Sequence, residues 1–154
     1  MDEQIKRLIA EASKEQRGVT VLNTVEQLKE FYLSNIQNYK EWRAFASIED
    51  WLPVDVDFLQ DFRVKLSEAG VDTKVIFKEA GLRHETQNLP YRQIKIVPDS
   101  YRFKSSIDIL EDKMLIMNPH QTVLGLVIES KILVDVFVDM FDMLWNLLPE
   151  QKHE

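Results

Sequence analysis

No cysteine occurs among the 154 residues, which excludes disulfides, thiolate metal sites and thiol nucleophiles and fits a reducing compartment. Only four glycines are present, too few for a generous phosphate cradle, and neither a Walker A loop nor a GxGxxG string occurs. No apolar run approaches the roughly 20 residues that cross a bilayer, and Met1-Asp2-Glu3 puts acids where a signal peptide carries cations. A cytoplasmic protein without a membrane partner is expected. Cations are also scarce: 19 Lys and Arg against 26 Asp and Glu leave a formal charge of −7, which opposes non-specific attraction to nucleic acid. His84, His120 and His153 stand apart in sequence, with no HExxH pair and no GxSxG turn around any serine. No catalytic residue, metal or cofactor is therefore expected.

What is there is enough for one domain with a sizeable core, since 45% of the residues are hydrophobic. Ile5, Leu8, Ile9 and Ala12 recur at helical spacing and predict a short amphipathic helix over residues 2–16. Val19 to Leu22 reads as a strand, followed by a helix capped by Asn23 or Thr24 and carrying Leu28, Phe31, Tyr32 and Ile36 on one side. Trp42 to Ser47 is the next strand. Pro53 then opens a helix with Phe58, Leu59, Phe62 and Leu66 on one face, ending at Gly70, before a strand from Val71 to Phe77. Four further β-prone runs, Gln93–Val97, Ser106–Leu110, Lys113–Met117 and Thr122–Glu129, read as an antiparallel meander with turns at Glu111-Asp112 and Asn118–Gln121. A closing helix from Ile132 to Leu148 has a wide apolar side and an opposite stripe of Asp135, Asp139, Asp142 and Asn146. The fold class is α/β, a sandwich with a mixed β-sheet flanked by helices.

Charge is uneven along the chain. Residues 61–104 hold nine Lys and Arg against six Asp and Glu, a local +3, so the remainder carries −10. These cations predict solvated faces first and an anion site second.

Several strings, in this order, carry a resemblance: GVTVLNTVEQLKEFY (residues 18–32), WRAFAS (42–47), FRVKLSEAGVDTKVIF (62–77), YRQIKIVP (91–98), SSIDILEDKMLIM (105–117) and GLVIESKILVDVFVDMFDMLW (125–145). Together they resemble the effector domain of the TrmB-like, sugar-responsive transcriptional regulators, which is similar to one half of the phospholipase D fold. The resemblance implies a connector helix over residues 1–17, an effector domain over 18–148 and a flexible tail over 149–154. An active half-site of that fold carries His-x-Lys-x₄-Asp. With Asp112 as the anchor, Ser105 stands at the histidine and Ile107 at the lysine, so covalent phosphodiester chemistry is not expected. Asp112 then reads as a turn residue.

What the resemblance leaves is a pocket at the strand ends, where Ser47, Ser105, Asp108, Asn118 and the corner Glu129-Ser130-Lys131 supply hydrogen-bonding groups. Such groups suit a neutral polyol such as a sugar. A structural role is favoured over ligand contact at these positions: Ser130 is well placed to cap the last helix with Glu129 and Lys131 flanking it, and Ser105 and Asp108 to serve a strand edge or turn. A homodimer is expected, joined through a sheet edge or the first helix, with DNA reached only through a winged-helix part outside this chain. The rivals are a degenerate phosphodiesterase or nuclease and a pure protein-interaction module.

Overall fold

The computed structural model describes residues 2–8, 18–85, 88–119 and 124–150. Residues 3–8 are helical, as expected. Met1 and residues 9–17 of the expected connector, His120 and Gln121 of the expected turn, Thr122 and Val123 of the expected strand, and 151–154 of the expected tail lie outside the described residues.

Seven strands form one mixed sheet in the order β1-β7-β6-β5-β2-β3-β4. They are β1 (Val19–Leu22), β2 (Glu41–Ala46), β3 (Asp72–Lys78), β4 (Arg92–Val97), β5 (Ser106–Ile109), β6 (Met114–Asn118) and β7 (Leu124–Ile128). Strands β2, β3 and β4 run parallel, whereas β5, β6 and β7 form an antiparallel meander closed by β1. The run beginning at Gln93, expected in the meander, instead lies parallel to β3 at the far edge. The physical reason is connection length: Glu79 to Tyr91 supplies the dozen or so residues that a parallel crossover needs, here through a short 3₁₀ turn over Glu79–His84.

Helix α1 (Val25–Asn35) begins at Thr24 because its hydroxyl accepts from Gln27 N while the Gln27 side chain accepts from Thr24 N, a reciprocal cap. Helix α2 (Leu52–Glu68) has Pro53 in its first turn, but the regular helix restarts at Asp55, whose Oδ1 accepts from Phe58 N at 3.0 Å. It stops where Gly70 takes φ 71°. Both helices cover one sheet face, burying Leu28, Tyr32, Phe62 and Leu66 against Trp42, Val75, Phe77, Leu115 and Met117. Gly125 on β7 permits this approach, since a Cβ there would lie 2.8 Å from Leu28 Cδ2.

Helix α3 (Lys131–Leu147) crosses the other face, burying Val134, Phe141 and Trp145 against Ile76, Val97, Ile109 and Met114. No described helix is long and apolar enough to cross a membrane.

Candidate functional site

Strand register assigns each expected ligand contact to an end or a face of the sheet. Phe45 pairs with Ile107 and Ser106 with Met117, so Ser47 after β2, Ser105 before β5 and Asn118 ending β6 gather at one end. This is the carboxyl end of the parallel strands, where α/β sheets receive ligands. β7 runs back from there, so Glu129, Ser130 and Lys131 lie at the opposite end. The seven residues therefore do not share one pocket. At the far corner Ser130 caps α3 by accepting from Leu133 N, Glu129 pairs with Lys113 at 3.4 Å, and Lys131 pairs with Asp135 at 3.0 Å.

The pleat separates two more. Side chains of a strand alternate between faces. Ile107 and Ile109 face α3, whereas Ser106 and Asp108 face α1 and α2, so Asp108 lies across the sheet from the side that Ile107 takes. Asp108 is buried, accepting from Tyr32 Oη at 2.7 Å and Trp42 Nε1 at 2.9 Å. Burial pushes its carboxyl up to about 6, against the two hydrogen bonds that favour the anion. Burial first, and then Asp108, hold the Tyr32 phenol well above its usual range. The space beside Asp108, lined also by Ala44, Trp51, Phe62, Arg63 and Ser106, measures about 50 Å³. That is room for a few waters and far below the 300 Å³ or more of common ligand pockets. Ser47 is buried and occupied: its N–H donates to Ser106 Oγ at 2.9 Å and its hydroxyl to Asp50 Oδ2 at 2.7 Å.

Asp112 sits in the tight turn joining β5 to β6, closed by Leu110 N donating to Lys113 O at 2.8 Å, and accepts from Tyr39 Oη at 2.5 Å. Several cations of the basic window are engaged inside the molecule. Arg63 and Arg92 share Glu85, and Lys95 Nζ donates to Trp145 O at 2.6 Å and Leu148 O at 3.0 Å. Lys74 and Lys78 stand over the rings of Trp145 and Phe103.

A feature that sequence reasoning missed is a cleft of about 340 Å³ at the amino ends of the parallel strands, lined by Glu41, Arg43, Asp72, Lys74, Tyr91 and Gln93 among others. Tyr91 adopts φ 62° beside it, a left-handed conformation uncommon for a bulky residue. No local signal marks this cleft, because its walls come from three strands brought together by pairing. Ser106 was legible: the alternation in Ser106-Ile107-Asp108-Ile109 puts it on the same side as Asp108. Tyr32 and Trp42 were not, lying 76 and 66 residues from Asp108.

No protein-family profile matches the sequence, and no curated protein matches it. Solved structures do. The chain is similar to Nuc, a phospholipase D family member from Salmonella typhimurium, with a TM-score of 0.57 at 15% identity, covering 88% of this chain and 98% of that one. NucT from Helicobacter pylori gives 0.58 at 8% identity, covering 86% and 98%. The fold is phospholipase D-like. TrmBL2, an archaeal chromatin protein described as showing a novel mode of DNA binding, gives 0.61 at 13% identity, covering 97% of this chain. The chain spans 63% of the length of TrmBL2.

Proposed function

We propose that this chain is a non-catalytic effector and dimerisation domain like that of the TrmB-like regulators, responding to a small polar ligand of the sugar class. One observation carries the reading. With Asp112 as the anchor, the positions that a phospholipase D half-site reserves for its nucleophile and its phosphate-holding cation fall on Ser105 and Ile107, and Ile107 packs half-buried in the apolar layer beneath α3. A hydroxyl without a base is a weak nucleophile, and a hydrocarbon cannot neutralise phosphate. Similarity to a chromatin protein supports a role beside DNA, reached through a part outside this chain. Ser105 and Asn118 at the carboxyl ends of the strands, and the mixed-charge cleft at the amino ends, are the places such a ligand would occupy.

A thermal-shift screen of sugars, polyols and nucleotides tests this, because a ligand that binds only the folded state stabilises by about 2.7 kcal/mol at 100 times its Kd. A rise with a sugar or polyol is expected, and a flat response throughout would favour an interaction module instead. The second reading, a degenerate phosphodiesterase, draws on the near-complete coverage of Nuc and NucT. Hydrolysis of bis-p-nitrophenyl phosphate that vanishes in Ser105→Ala would establish it and remove the first.

A further inference from the structure

Helix α3 is apolar round more of its circumference than the sheet needs. Val134, Phe141 and Trp145 are buried against the strands. Asp135, Asp139 and Asp142 form a second side, with Asp142 held by Arg43 Nε at 2.9 Å. The third side consists of Leu133, Val136, Met140, Met143 and Leu147, spaced alternately three and four residues apart, with exposures of 50%, 52%, 57%, 67% and 82%. Ile132, at 81% exposed, extends it. This is the a/d spacing of a helix seam, lying open over about 22 Å of helix. Isolated soluble domains seldom expose so continuous an apolar strip.

We propose that α3 packs against α3 of a second copy of this chain, antiparallel about a two-fold axis near Met140. The proposal rests on the dimerisation reading above and supplies its interface in place of the sheet edge or first helix. A two-fold contact requires a patch that fits itself. The seam meets this condition, because it contains no charged or polar side chain and its ends, Leu133 and Leu147, each lie seven residues from Met140. That axis sets Leu133 against Leu147 of the partner subunit and Met140 against Met140 of the partner subunit. The carboxylates lie on a separate side, with Asp142 turned toward β2, so contact along the seam does not require burying them. A stable interface buries about 800 Å² per partner around an apolar centre, and six side chains at least half exposed supply such a centre. Two copies at −7 each repel, so association strengthens as salt screens them.

Light scattering on the full chain is expected to give twice the 18.1 kDa chain mass, increasingly so from low to moderate salt. Met140→Glu is expected to return the single-chain mass with an unchanged far-UV circular dichroism spectrum, since the side chain is exposed. Because the chain lacks cysteine, Met140→Cys introduces its only thiol, and mild oxidation should yield a disulfide-linked dimer on a non-reducing gel. Lys40→Cys, exposed and off the seam, should not crosslink. A dimeric Met140→Glu, or a dimeric Met140→Cys that fails to crosslink, overturns the α3 interface and leaves dimerisation standing. A wild type that stays monomeric at high micromolar concentration overturns both.

Discussion

At the scale of single residues, Asp108 joins two core aromatics through one buried carboxylate. Its oxygens satisfy a phenol and an indole inside the core, so Asp108→Ala would leave Tyr32 Oη and Trp42 Nε1 buried without that partner. Loss of about 2–4 kcal/mol is expected in urea denaturation. The sign of its pH dependence follows from the direction of the shift. Burial raises the folded carboxyl from 3.8 to about 6, so between those values the folded state holds a proton that the unfolded state has released. Stability from this group is full below the unfolded value, falls as pH rises through about 6, and is level above it. Asp55 acts oppositely: the hydrogen bond from Lys29, then that from Phe58 N, lower its carboxyl, and its contribution is lost as pH falls. Comparing wild type with Asp108→Asn between pH 4 and 7 isolates the first effect, and parallel stability curves would refute it.

At the scale of elements, helix ends carry the next predictions. Thr24→Ala removes the reciprocal cap of α1 and should lower stability by about 1 kcal/mol. Lys95→Met removes the ammonium that ties two carbonyls at the end of α3 and sits 4.7 Å from the Trp145 ring centroid. It should cost about 1–3 kcal/mol and shift tryptophan fluorescence. The cap at Thr24, the stop at Gly70 and the strand Val19–Leu22 were legible in sequence, because each depends on residues within about four positions. The role of Lys95 was not, because its partners lie 50 and 53 residues away. Seen alone it is one more cation in a basic window. The same holds for α3: periodicity revealed a wide apolar side, and only packing divided it into a buried and an open part.

At the scale of the whole molecule, the crossover that places β4 is fixed by a buried ionic cluster. Glu85 accepts from Arg92, whose side chain is 8% exposed, and lies 3.3 Å from Arg63, which is 9% exposed and also donates to His84 O at 3.1 Å. Burial first, then repulsion from Arg92, lowers the Arg63 guanidinium to about 10, with Glu85 opposing both. Glu85→Gln would leave two enclosed cations uncompensated, with an expected loss of about 3–5 kcal/mol by chemical denaturation. Replacing Arg63, Glu85 and Arg92 together by Met, Leu and Met should recover most of that. A triple variant as weak as the single one would show that packing of the crossover, not charge, was at stake.

The sequence by itself determined the helices and strands, their caps and the mixed α/β class. These are properties of residue identity and near-neighbour spacing. Tertiary structure alone decided the strand order, the parallel placement of β4, the division of Ser47, Ser105 and Asn118 from Glu129, Ser130 and Lys131, and the solvent exposure of one side of α3. Pairing across the sheet joins residues distant in the chain, and its register follows from all the packed faces at once, which no single stretch encodes.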